Sequence, residues 1–148
     1  MLVRDILKLK GDGFVSIGPD APIPQAVGVM VEKDIGALLV LEEGRMAGLV
    51  TFREVLAAVH RHHGDIHAVK VSDIMVRKPL IGDPEDTMDH LRAVMTENHA
   101  RYVPVMKEGR LLGILSFHDI ARAALKMINF ENRLLKQYIK NWPEEGQS

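Results

Sequence analysis

Residues 19–56 recur as residues 84–121 without a gap, at a shift of 65 positions. Ten of the 38 aligned positions are identical: Pro19/Pro84, Val29/Val94, Met30/Met95, Glu32/Glu97, Val40/Val105, Glu43/Glu108, Gly44/Gly109, Arg45/Arg110, Gly48/Gly113 and Phe52/Phe117. A repeated supersecondary unit restricts the fold more than any single element does, because a unit this small leaves an apolar face that only a second unit can cover. Upstream, Val3-Arg4-Asp5-Ile6 echoes Val71-Ser72-Asp73-Ile74 at a shift of 68, so each unit carries a short duplicated lead-in. The chain of 148 residues divides accordingly into a first repeat with its lead-in (1–64), a second (65–127), and a C-terminal helix extension with its tail (128–148).

Within a unit the apolar period changes in a readable way. Pro22 and Pro24 stand where a helix begins, and Ala26, Val27, Met30 and Val31 follow at the i, i+3, i+4 spacing of one helical face. The apolar run 37–41 ends at Glu42-Glu43-Gly44-Arg45, and a second run, 46–51, follows at once; two strands joined by a tight glycine-containing turn account for this. Helical spacing returns at Val55, Leu56 and Val59. The second copy predicts a helix over 87–98, strands over 102–106 and 111–115, and a helix from Phe117. Leading strands are predicted at 13–17 and 79–81. The unit is therefore β-α-β-β-α. Two of them in an α+β fold bury their sheets only against each other, with pseudo-twofold symmetry.

Composition excludes some functions. Twenty acidic against 19 basic side chains leave a net charge of −1, which offers no general attraction for nucleic acid. The absence of cysteine excludes disulfides and thiolate metal sites. No stretch approaches the ~20 apolar residues of a membrane helix, and the start of the chain lacks the pattern of a signal peptide. The expectation is a soluble, cytoplasmic protein with no membrane partner.

The runs Gly48-Leu49-Val50-Thr51-Phe52-Arg53-Glu54 and Gly113-Ile114-Leu115-Ser116-Phe117-His118-Asp119 each enter the last helix of a unit. With Tyr102-Val103-Pro104-Val105 and the lead-in Asp73-Ile74-Met75, they make residues 1–127 resemble a tandem pair of cystathionine β-synthase (CBS) domains, the Bateman module. A strand that ends in a hydroxyl residue and turns into a helix with a carboxylate in its first turn gathers a hydroxyl, backbone N–H groups and an acidic acceptor. The N–H groups and hydroxyl suit a phosphate, and the carboxylate can accept from both hydroxyls of a ribose. The same residues can also be plain helix caps, with Glu54 and Asp119 completing capping boxes on Thr51 and Ser116. Duplication and context favour the nucleotide reading for the second copy.

What the resemblance implies is a regulatory module that binds an adenine nucleotide (AMP, ADP or ATP) between its repeats and passes a conformational change to a regulated partner protein. It requires no cofactor and has no catalytic residues. The first implied cleft combines Ser116, His118 and Asp119 with Val15 and Ile17 of the first leading strand and with Ile35, Gly36 and Ala37. The second combines Thr51, Arg53 and Glu54 with Leu80, Ile81, Ala100 and Arg101. Asp119 keeps the family's ribose acceptor, and Gly36-Ala37 leaves room near the base. Glu54 is one methylene longer than that acceptor, whereas Arg101 matches a phosphate-binding basic residue of some relatives.

His60, His62, His63 and His67 crowd around Asp65, but they trail off the end of a helix into a loop, so their spacing does not force a shared metal. No Gly-x-Ser-x-Gly, HExxH or phosphate-loop motif supports an enzyme. After the second repeat, Met127, Ile128, Leu134, Leu135, Tyr138, Ile139 and Trp142 recur at helical spacing until Pro143. This stripe either lies back on the repeats or pairs with a second copy, and a homodimer is the expectation. Two alternatives to the sensor are a constitutive scaffold without ligand and a metal-dependent enzyme.

Overall fold

The computed structural model describes residues 1–11 and 13–140. Its elements follow in the order α1 (Val3–Lys10), β1 (Ser16–Ile17), α2 (Ile23–Lys33), β2 (Ala37–Glu42), β3 (Arg45–Thr51), α3 (Phe52–Arg61), α4 (Val71–Ile74), α5 (Met88–Glu97), β4 (Tyr102–Lys107), β5 (Arg110–Ser116) and α6 (Phe117–Lys140). Trp142, Pro143 and the tail lie outside the described residues.

Each unit is built on one antiparallel hairpin, β2 with β3 and β4 with β5. Both hairpins turn through two residues with positive φ, Glu43 and Gly44 at 52° and 78°, and Glu108 and Gly109 at 50° and 75°. Two successive positive values match the turn whose twist suits a two-residue hairpin. The register slips once in each hairpin, after Val40 and after Val105, so even the irregularity is repeated at the 65-residue shift.

The leading strands are shorter than the sequence predicts. Only Ser16 and Ile17 pair in parallel with β2, opposite Leu39 and Val40, because Gly13 sits at a φ of 92°, outside the extended region. Residues 79–81 form no strand. Pro79 has no N–H to give a ladder, and the pairing survives as one parallel bridge between Gly82 and Val105, the counterpart of Ile17 with Val40.

Alternation along the strands divides their side chains between two cores. Leu38, Val40 and Val50 face the helices of the first unit with Ile23, Ala26 and Met30. Val103, Val105 and Leu115 do the same in the second with Leu91, Met95 and Ile120. The opposite faces, Ala37, Leu39 and Leu49 against Tyr102, Leu111 and Ile114, meet between the units and join sheet to sheet. Removing a side chain such as Leu39, fully buried here, from water contributes about 1.5–3 kcal/mol.

Two predicted core positions face solvent instead. Val31 is 74% exposed and Leu56 62% exposed. The buried stripes run Ile23, Ala26, Met30 in α2 and Val55, Ala58 in α3. One residue further along swings each side chain about 100° out of the stripe, at 3.6 residues per turn. In α6 the burial stops early. Ile120 and Ala123 are core and Met127 packs against them, but Ile128, Leu134, Leu135 and Ile139 are all more than half exposed, so these four do not lie back on the repeats.

The lead-ins are exchanged. The amides of Val3 and Arg4 donate to the carbonyls of Asp86 and Pro84 at 2.9 Å each, and Val3 and Ile6 fill the second core. The amides of Val71 and Ser72 donate to Ala21 and Pro19 at 2.8 Å each, and Val69, Val71 and Met75 fill the first. Asp5 and Asp73 explain the duplicated motif: each carboxylate accepts from the amide three residues back, Leu2 at 2.9 Å and Lys70 at 3.0 Å, and so starts its short helix.

The exchange leaves little clearance at Gly48. A Cβ there would stand 2.8 Å from the Val76 carbonyl and 2.9 Å from Met75 Sδ, whereas at Gly113 it would meet only Leu7 Cδ2 at 3.0 Å. A backbone oxygen cannot turn aside and a leucine methyl can. Gly48→Ala is therefore expected to destabilise the chain by about 1–3 kcal/mol, and Gly113→Ala by no more than about 1 kcal/mol. Urea unfolding midpoints of the two variants check this, and equal losses would contradict it.

Candidate functional site

Between the units lie two cavities, about 590 Å³ and about 750 Å³, both within the ~300–1,000 Å³ of small-molecule sites. The first draws Val15, Ile35, Gly36 and Ala37 from the first unit and Ser116, His118 and Asp119 from the second. Ile17 does not line it; its side chain belongs to the first core. The second cavity is lined by Thr51, Arg53, Glu54, Leu80, Ala100 and Arg101. Ile81 does not line that one and is 42% exposed on the outside. Ile17 lies within β1 with its side chain in the core, and Ile81 lies in a segment that forms no strand.

Four side chains, Phe52, Arg101, Tyr102 and Phe117, line both cavities and form the partition between them. Phe52 and Tyr102 meet edge to face with centroids 6.4 Å apart, and the Arg101 guanidinium stands 5.3 Å from the Phe52 centroid. Their backbones are tied alike: the Phe52 amide donates to Gly36 O at 3.0 Å and the Phe117 amide to Arg101 O at 2.8 Å. The space at Gly36 is not left for a base. A Cβ on Gly36 would overlap the Tyr102 hydroxyl and approach Phe52 Cδ1 to 3.3 Å, so the missing side chain of one unit accommodates the ring of the other.

At the start of each last helix the carboxylate folds back on the hydroxyl residue. Asp119 Oδ2 accepts from the Ser116 amide at 2.8 Å, and the Asp119 amide donates to Ser116 Oγ at 3.0 Å. Glu54 Oε1 accepts from both the amide and the hydroxyl of Thr51, at 2.8 and 2.9 Å. Both are capping boxes. The Thr51 hydroxyl donates to Glu54, and the Ser116 hydroxyl, which accepts from the Asp119 amide, also lies within hydrogen-bonding range of the Asp119 carboxylate. Asp119 has a further partner that the sequence reading missed, Lys10, whose Nζ lies 3.0 Å from Oδ2 and donates to Ile114 O at 2.6 Å. The signal was present: Lys10 matches Lys78 at the same 68-residue shift as the lead-in motif, and Lys78 lines the second cavity.

Burial pushes the Asp119 carboxyl up, but the Ser116 amide, the Lys10 ammonium and the Ser116 hydroxyl together outweigh it, and its pKa falls below the ordinary value. Burial, with a smaller push from Asp119, raises the Tyr102 phenol against the pull of Arg101. Among the described residues no three His, Asp or Glu side chains converge on a possible metal position, the histidines at 60–67 included. No helix among them is long and apolar enough to cross a membrane.

A depressed folded-state pKa means that folding favours the ionised carboxylate. The stability Asp119 contributes is therefore present above the unfolded value near ~3.9 and is lost as pH falls through the lower folded value. Asp119→Asn should flatten the acid limb of a stability-against-pH curve below about pH 4. An unchanged limb in urea titrations across that range would contradict the assignment.

The sequence model of the CBS domain matches residues 3–61 and 71–126. The CBS domain-containing protein CBSX3, mitochondrial, of Arabidopsis thaliana is 30% identical over 147 residues, 93% of this chain and 71% of that protein. The crystal structure of the CBS-domain containing protein ATU1752 from Agrobacterium tumefaciens superposes with a TM-score of 0.80 at 34% identity, over 84% of this chain and 99% of that one. The crystal structure of CBSX2 in complex with AMP superposes with a TM-score of 0.71 at 23% identity, over 85% of this chain and 97% of that one. With the duplicated helix-and-hairpin unit, the joined sheets and these matches, the chain belongs to the CBS domain family, as a tandem pair.

Proposed function

We propose that this pair is a regulatory module that binds an adenine nucleotide of the AMP, ADP or ATP type between its repeats, catalyses no reaction, and passes the change in repeat geometry to a partner protein. The observation that carries the reading is the composition of the first cavity. One helix start brings together an ionised acceptor, Asp119, and a hydroxyl, Ser116. A cation, Lys10, lies beside them, and the walls are apolar and aromatic through Val15, Ile35, Phe52 and Tyr102. The acceptor suits ribose, the donors suit phosphate, and the walls suit a base. The AMP bound by CBSX2, a protein of the same fold, supports this assignment. The second cavity offers Arg53, Arg101 and Lys78 to a more highly phosphorylated ligand, but its hydroxyl is already committed to Glu54.

Thermal melts test the reading, because a ligand that favours the native state stabilises it by RT ln(1 + [L]/Kd). AMP, ADP or ATP should raise the midpoint with concentration. Asp119→Ala should remove most of that rise and Glu54→Ala much less. No rise with any of the three nucleotides refutes the sensor and favours the ligand-free scaffold.

The same reading makes the chain a homodimer through α6, supported by the exposed Ile128, Leu134, Leu135 and Ile139 of that helix. Leu134→Glu with Leu135→Glu should halve the mass found by sedimentation equilibrium. A wild-type chain that sediments as a monomer refutes the pairing.

A further inference from the structure

We propose that Lys10 makes the first cleft select phosphorylated adenine nucleotides over uncharged nucleosides, by holding Asp119 until a phosphate offers its ammonium a second partner. The inference rests on the reading of that cleft as an adenine nucleotide site and goes beyond it to the chemistry of selection.

A carboxylate oxygen has two lone-pair sites. Asp119 Oδ2 fills both, one with the Ser116 amide and one with Lys10 Nζ, and the Ser116 hydroxyl lies against the same carboxylate. A ribose that engages both oxygens must therefore dislodge Lys10. The pair it breaks is sheltered, with side-chain exposures of 33% for Lys10 and 12% for Asp119, so solvent screens it less than a surface pair. A nucleoside has nothing to give the released ammonium. A nucleotide does, because lysine carries a compact charge on a flexible four-carbon stem and forms strong charge-assisted hydrogen bonds to phosphate. Of the other charged groups lining the cavity, Arg101 would add to that attraction and Asp34 would oppose it, and neither touches Asp119.

Lys10 reaches this position only because α1 is docked on the second repeat. The exchanged lead-in of the other repeat delivers Lys78 to the second cavity in the same way, yet no ion pair joins it to Glu54 among the described residues, where Oε1 already takes both donors of Thr51. The two clefts thus carry equivalent lysines, and only one of them restrains the carboxylate.

Isothermal titration of the full chain with AMP and with adenosine tests the inference. Lys10→Met keeps the stem and removes the charge. It should strengthen adenosine binding and weaken AMP binding, narrowing the ratio of the two Kd values by about tenfold or more. Lys10→Arg should keep most of the preference, and Lys78→Met should leave adenosine affinity at its wild-type value. A Lys10→Met variant that changes both ligands by the same factor, or neither, overturns the selection by Lys10 while leaving the nucleotide site standing. A wild-type chain that binds neither ligand overturns the nucleotide reading itself, and the selection falls with it.

Discussion

Each repeat of this CBS pair is closed by a helix that the other repeat supplies. Val3 and Ile6 complete the second core, and Val71 with Met75 completes the first. The backbone bonds that hold them, from Val3 to Asp86 and from Val71 to Ala21, are the same bond repeated at the symmetry of the chain. A single repeat with its own lead-in would therefore have an open core edge and an unplaced helix, even before its sheet face was uncovered. The inter-sheet contact of Leu39 and Leu49 with Ile114 adds to a pairing that the exchange already makes obligatory. It also places Leu7 under Gly113, Met75 under Gly48, and one lysine at each cavity.

Much of this was legible in the sequence because it was written twice. Periodicity locates α2, α5 and both hairpins to within a residue or two, and the Glu-Gly turn needs no partner to form. What stayed illegible depends on contacts between the copies. The leading strands looked like strands by composition, but pairing is limited to two residues in one case and one bridge in the other; Ile17 turns into the first core and Ile81 is exposed, so neither lines a cavity. Val31 and Leu56 are apolar neighbours of core residues, and only the packed helix shows which neighbour is inside. The link between Lys10 and Asp119 does not follow from chain order, in which each lead-in precedes one repeat, whereas in the structure it serves the other.

The asymmetry between the clefts arises from few substitutions on a symmetric frame. At the 65-residue shift Gly36 and Ala37 face Arg101 and Tyr102, and Thr51 and Glu54 face Ser116 and Asp119. The first exchange is complementary in volume, since the Tyr102 ring fills what Gly36 leaves. The second changes what each carboxylate holds: Glu54 takes both the amide and the hydroxyl proton of Thr51 on one oxygen, whereas Asp119 takes the Ser116 amide and the Lys10 ammonium. The duplicated scaffold in this way carries two cavities with different linings.

The partition of Phe52, Arg101, Tyr102 and Phe117 has a thermodynamic meaning of its own. One wall serves two chambers, and one guanidinium, anchored on one ring, is within reach of anions in both. A charge drawn toward one chamber is withdrawn from the other, so the free energy of filling either depends on the contents of its neighbour, and by reciprocity the dependence is equal in both directions. If the two clefts bind as proposed, the affinity of one is a conditional quantity, and a titration would describe a linked pair.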